Sequence, residues 1–132
     1  MVNELLTFSR LPPAVCTYGL DDARLTLAAA RPVTLLSPPG AAVYWGVLWW
    51  QSLLTAAGND GPALLDCATA PGRAAEALAL GLKGLVLAPC PGWDEIAALA
   101  ASKGATLLKA APTALDLRLP NAAKQLISWL GG

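Results

Sequence analysis

Short, uninterrupted apolar runs alternate with longer helical segments along most of this chain, and this rhythm constrains the fold more than any other feature. The runs lie at residues 14–18, 33–36, 62–67, 84–88 and 105–109. A parallel strand that is buried on both faces has a continuously apolar sequence rather than an alternating one. Strands that alternate with helices at this spacing are typical of a parallel sheet. The pattern therefore predicts an α/β domain.

The segments between the runs carry helix boundary signals, such as Asp21 and Asp22 in a first turn, where acidic side chains favour the helix dipole. The predicted helices span about residues 20–30, 41–57, 71–80, 93–103 and 121–130. Five strands and five helices predict a three-layer sandwich, with the flavodoxin-like (Rossmann-like) strand order 2-1-3-4-5 favoured. An open fragment of a (β/α) barrel is the alternative. Residues 110–119 are ambiguous, and residues 115–119 are compatible with an added edge strand.

The length of the chain, 132 residues, is that of one ordinary domain. The apolar fraction of 55% is large enough for a hydrophobic core and excludes intrinsic disorder. We expect an N-terminal arm over residues 1–13 and a single α/β domain over residues 14–132.

Charge and histidine content exclude several classes of function. Lys and Arg number 9, as do Asp and Glu, so the net charge is zero and nucleic acid and membrane surfaces are not expected partners. The chain has no histidine, which excludes Ser-His-Asp and Cys-His catalysis and every imidazole metal site. We expect no cofactor and no metal, and the sequence favours a non-catalytic protein over an enzyme.

The three cysteines, Cys16, Cys67 and Cys90, form no CxxC pair and follow no secretory signal. This usage is typical of reduced, buried thiols, so the expected compartment is the cytoplasm. The uncharged stretch 33–59 has the hydropathy of a membrane span. Prolines and a glycine at 37–40 interrupt it, and its tryptophans lie mid-helix instead of at the ends, so we do not expect it to span a bilayer.

A ligand pocket is predicted at the carboxyl ends of the strands, because doubly wound sheets bind ligands where their strand order reverses. With the order 2-1-3-4-5, that point falls between the loops after the first and third strands. The candidate pocket residues lie at or just after the ends of the third, fourth and fifth runs and are Asp66, Cys67, Thr69, Arg73, Cys90 and Lys109. Cys67 is close to a predicted helix N-terminus and to Arg73, which favours a lowered thiol pKa.

Asp66 ends the third run, with Pro71 soon after it and Lys109 ending the fifth run. These elements resemble the phosphoacceptor region of bacterial receiver domains. The resemblance implies a phosphoacceptor role for Asp66 beside a Mg²⁺ site. The family's acidic pair ends its first strand, whereas Asp21 and Asp22 lie inside the following helix. The sequence thus favours a shared fold over a shared function, and an enzyme or receiver-like phosphoacceptor using Asp66 is the alternative function.

The predicted helix 41–57 is apolar on nearly every side. Tyr44, Trp45 and Leu48 form a predicted apolar patch of a kind that monomers rarely expose, while Trp49 is assigned to the core. We expect a homodimer through this patch, and cover by the N-terminal arm is the alternative. The predicted function is a small, non-catalytic α/β domain that self-associates and binds a partner or a small-molecule ligand.

Overall fold

The computed structural model describes residues 11–131, and it has the α/β architecture with a parallel sheet that the apolar runs predict. The strands are Ala14–Cys16 (β1), Thr34–Leu36 (β2), Ala63–Asp66 (β3), Gly84–Val86 (β4), Thr106–Leu108 (β5) and Ala114–Asp116 (β6). The helices are Leu20–Ala28 (α1), Ala41–Tyr44 (α2), Val47–Ala57 (α3), Pro71–Ala79 (α4), Trp93–Ser102 (α5) and Ala122–Trp129 (α6). Within residues 11–131, none of the helices has both the length and the apolarity needed to cross a bilayer.

The sheet has six strands in the order β5-β4-β3-β2-β1-β6, and every pair is parallel. The predicted five strands and the flavodoxin-like order 2-1-3-4-5 are therefore wrong. Each of the first five strands pairs with the next one along the chain, as in the wall of a (β/α) barrel, which was the alternative. The sixth strand comes from the ambiguous segment and lies at an edge, next to β1.

The helices cover one face of the sheet in the part of the chain that the structure describes. Crossovers that are right-handed and all advance in one direction place their helices on the same side. Buried helix residues form one core with the strand residues Val15, Leu35, Leu65, Leu85 and Leu115. The opposite face has a separate cluster without helix residues, made of Ala14, Leu36, Leu64, Val86 and Leu108. Among the described residues, buried helix residues therefore belong to the core on one face of the sheet.

The short link between β5 and β6 requires the sheet to curl. These strands are at opposite edges, yet only residues 109–113 separate them in the chain. From Leu108 to Ala114 the chain makes six Cα–Cα steps, which span at most about 23 Å. In a flat sheet, β5 and β6 would be five strand spacings apart, or about 24 Å. The chain must also run back along the length of a strand, because β6 is parallel to β5. The two edges must therefore approach each other. Consistent with this curvature, Ala14 of β1 and Leu108 of β5 line the same cavity.

The tryptophan-rich segment forms two helices and not the single helix predicted over residues 41–57. Gly46 separates them with a φ of +91°, in the left-handed region that glycine tolerates best. This break changes the helical phase, so that Val47, Trp50 and Leu53 face the core. Trp50 is 1% exposed, and Trp49, which the sequence assigned to the core, is only half-buried against it.

We expect Gly84→Ala to destabilise the fold by roughly 3 kcal/mol, because a Cβ at this position would run into the backbone carbonyl oxygen of Ala63 on β3. Gly72→Ala is the matched control, since a Cβ there meets no atom within 4 Å and the residue is helical. Urea denaturation of both variants measures the difference. Equal midpoints would contradict the close approach of β3 and β4.

Candidate functional site

A polar network lies at the carboxyl ends of β1 and β6, where the strand order departs from the chain order. The Tyr18 hydroxyl donates a hydrogen bond to Asp116 Oδ2 at 3.1 Å. The Arg118 guanidinium lies 4.2 Å from the centroid of the Tyr18 ring. Ligand sites of open α/β sheets are found at such reversals of strand order. The predicted reversal between the first and third strands is wrong, because β2 lies between them.

Hydrogen bonds within this network hold the two loops in place. Asp116 Oδ1 accepts a bond from the Arg118 backbone N–H at 2.9 Å, and Asp22 Oδ2 accepts one from the Tyr18 N–H at 2.8 Å. Burial raises the pKa of Tyr18 well above its usual value, and hydrogen bonding with Cys16 and Asp116 raises it further. Tyr18 is thus a protonated donor at neutral pH and not a general base. The network thus joins the loops after β1 and β6, and its polar side chains bond to groups of the protein itself.

Asp66, the residue that the alternative function depends on, lies in a local turn at the end of β3. Its Oδ1 accepts a hydrogen bond from the Ala68 N–H at 2.8 Å, and its own N–H donates to Ser37 Oγ at 2.9 Å. Thr69 follows on the exposed side of the same loop. Asp22 is engaged with the loop after β1, and β2 separates that strand from β3. The structure therefore does not reproduce the neighbouring-strand arrangement that the receiver resemblance implies.

Cys67 and Arg73 do not form the reactive thiol site that their spacing suggested. The Cys67 side chain is fully buried in the core between sheet and helices. This burial raises the pKa of the Cys67 thiol to about 12, and the nearby charge of Asp66 adds to the effect. Arg73 lies at the surface and pairs with Glu76 at 3.0 Å. The predicted lowering of the thiol pKa is wrong, because desolvation dominates at this site.

Two of the predicted pocket residues, Cys90 and Lys109, line the same cavity of about 340 Å³ at the carboxyl ends of β4 and β5. The Lys109 ammonium lies 4.8 Å from the centroid of the Trp93 ring. Trp93 is itself held by a hydrogen bond from Nε1 to the Leu87 carbonyl oxygen at 2.8 Å. Asp66, Cys67, Thr69 and Arg73 do not line this cavity.

Sequence reasoning missed Asp116 and Arg118 because they lie in the ambiguous segment. A signal for them exists in the chain, since Leu115, Leu117 and Leu119 alternate with these two polar residues. Such alternation is typical of a strand with one buried face, and it places both polar residues on the same side. Cys16, which contacts the network, was assigned only a packing role. Burial raises the pKa of its thiol.

An exposed apolar surface lies on α2 and the start of α3. We call it the α2–α3 surface and define it by Val43, Tyr44, Trp45 and Leu48. Tyr44 is 77% exposed, Trp45 52% and Leu48 58%. The Trp45 ring also contacts the Trp49 ring, with centroids 4.9 Å apart and the planes inclined by 51°. The predicted covering arm falls mostly on residues 1–10, which lie outside the described residues.

The described residues contain no group of three or more Asp, Glu, Cys or His side chains that could hold a metal ion. No protein-family model matches the chain, and searches of curated proteins and of solved structures return no significant match. Function is therefore argued from the site geometry alone.

In a labelling experiment at pH 8, we expect iodoacetamide to modify Cys90 in the native protein and to leave Cys16 and Cys67 unmodified. Cys90 is half-exposed, whereas the other two thiols are buried and their pKa values are raised. Peptide mass spectrometry identifies the labelled residue. The Cys90→Ser variant should take up label only after urea is added, and rapid native labelling of Cys67 would contradict the buried site.

A second expectation concerns alkaline pH. The pKa of the Cys67 thiol is near 9.0 in the unfolded chain and about 12 in the folded protein. Its contribution to stability is therefore complete below pH 9 and is lost as the pH rises towards 12. Its share of this loss is at most about 1.4 kcal/mol per pH unit. Urea denaturation between about pH 8 and 10.5 should show a shallower decline for Cys67→Ala than for Cys90→Ala. Equal declines in the stability of the two variants over this pH range would contradict the raised pKa of Cys67.

Proposed function

We propose that this protein is a non-catalytic cytoplasmic α/β domain that self-associates as a homodimer through the α2–α3 surface. The observation that carries the proposal is the exposure of Tyr44, Trp45 and Leu48 side by side on two short helices. No charged residue occurs between residues 33 and 59, so the surface is uncharged as well as apolar. The three free thiols support a reducing compartment.

The size of the surface suits the centre of an interface. From their exposed fractions, Tyr44 and Trp45 together present roughly 200–300 Å². Val43 and Leu48 bring the patch into the range of the largest patches on monomers, which are often functional. A standard interface buries about 800 Å² on each partner, so the polar surroundings of the patch would have to contribute. We therefore expect dissociation in the micromolar range.

A second copy of the same chain is the partner that fits this surface. An uncharged patch offers no charge pattern for recognising an acidic or basic partner, whereas two copies related by a twofold axis present identical apolar faces to each other. Contact with the Trp49 ring restrains the Trp45 ring, which lowers the conformational entropy lost when the ring is buried. The net charge of zero adds no long-range repulsion between copies.

The geometry favours this function over a phosphoacceptor role for Asp66. One carboxylate oxygen of Asp66 already accepts a backbone hydrogen bond, and β2 separates its strand from β1. A Mg²⁺-dependent phosphoacceptor needs several carboxylate oxygens that converge on the cation. Asp22, from the acidic pair, is directed instead to the Tyr18 backbone.

We expect Leu48→Glu to keep the fold and to weaken self-association at least tenfold, because two carboxylates would be buried at the centre of the contact. Light scattering after size exclusion, at about 5 to 200 μM, follows the mass of wild type and variant. Ile127→Glu is the matched control, since Ile127 is also helical and is 45% exposed, on α6. The proposal fails if the wild type stays monomeric at the highest concentration or if both variants behave alike.

A further inference from the structure

A cavity of about 620 Å³ lies between the end of β5 and the segment that leads into β1. Its volume is within the range of small-molecule sites, which are concave and mostly apolar. Leu11, Ala14, Leu108 and Pro112 are among the side chains that form its wall. Trp93, the first residue of α5, also lines it. None of the residues that define the α2–α3 surface lines the cavity, so the two are distinct.

The curvature of the sheet accounts for this cavity. In the described chain, the helices cover the convex face, and the concave cluster contains residues of β1–β5 with Leu11 and Ala114 packed against it. Residues 109–113 cross from β5 to β6 along one side, and the prolines at 12, 13 and 112 restrict the backbone of the wall. The site is therefore largely preformed, which lowers the cost of ordering it around a ligand.

Among residues 11–131, the only charged side chain that lines the cavity is that of Lys109, and none of the carboxylates in this range lines it. Asp94 and Glu95 line the neighbouring cavity on the other side of Lys109, and neither lies within ion-pair distance of its ammonium. The Trp93 ring holds the ammonium from one side. The Thr34 hydroxyl, which also lines the cavity, already donates to the Pro12 carbonyl oxygen at 2.9 Å.

We infer that this cavity binds a small apolar carboxylate, such as a medium-length fatty acid, with its carboxylate at Lys109 and its hydrocarbon body along the concave face. Burial of the hydrocarbon chain against the apolar wall is favourable in proportion to the apolar area that it removes from water. A single, positioned cation selects an anionic end group over a neutral or cationic one. The inference does not depend on the proposed self-association, because the cavity and the α2–α3 surface share no residue.

Calorimetric titration of the full chain with decanoate, 1-decanol and decyltrimethylammonium tests the inference, since the three probes share one hydrocarbon body. We expect decanoate to bind with a Kd below about 100 μM, decanol about tenfold more weakly, and the ammonium probe more weakly still. In Lys109→Met, the decanoate affinity should fall about tenfold and the decanol affinity should stay within about twofold. Lys124→Met, an exposed lysine on α6, is the matched control and should change neither.

Two further variants separate the cavity from other binding modes. Ala110→Trp alters an exposed residue of the wall and should abolish binding of both decanoate and decanol while urea denaturation shows a folded protein. Leu48→Glu should bind decanoate as the wild type does, whatever its oligomeric state. Absence of decanoate binding at about 1 mM, equal affinity for decanoate and the ammonium probe, or loss of binding in Leu48→Glu alone would each overturn the inference.

Discussion

The five-residue link between β5 and β6 is the constraint on which the rest of this structure depends. It joins two strands that are parallel and that lie at opposite edges of a six-stranded sheet. Because residues 109–113 cannot cross a flat sheet of that width, the sheet must curl. The curl separates a convex face, which the helices cover, from a concave face with its own apolar cluster. It also brings Lys109 close to the start of β1, and the ligand cavity results from that approach.

A second constraint, at Gly46, determines which aromatic residues face solvent. In an unbroken helix, all side chains would follow a single 3.6-residue period, so the solvent-facing residues would lie along one side of the helix from end to end. The left-handed conformation of Gly46 separates α2 from α3. Trp50 then enters the core while Tyr44 and Trp45 remain exposed. The apolar surface is thus a product of the backbone break, since hydrophobicity alone would favour burying these rings.

Sequence reasoning located the first five strands and four of the five predicted helices, because continuous apolar runs and boundary residues are local signals, but it missed the break at Gly46. The strand order was out of reach, since apolar periodicity shows which residues are buried and not which strands pair. β6 is only three residues long, and its neighbour Arg118 and its own Asp116 weaken the apolar signal. The predicted reactive thiol site was wrong because local sequence signals also do not show which face of the sheet a side chain enters. Cys67 is close to a helix along the chain, but its side chain points to the core face, where burial raises its pKa.

Polar side chains lie at two places on the sheet, the carboxyl ends of β1 and β6 and the end of β5, and the two places differ in how many of these side chains could still bind a ligand. At the reversal of strand order, where an open α/β sheet ordinarily binds its ligand, Tyr18, Asp116 and Arg118 contact one another and join the loops. A ligand there would have to displace hydrogen bonds that the protein already makes, and it would gain little in exchange. At β5, Lys109 has an aromatic ring beside it, no described carboxylate partner and an apolar cavity in front of it. A ligand carboxylate at Lys109 would break no ion pair within the described residues, so we expect more free energy to be available to a ligand at the β5 edge than at the reversal.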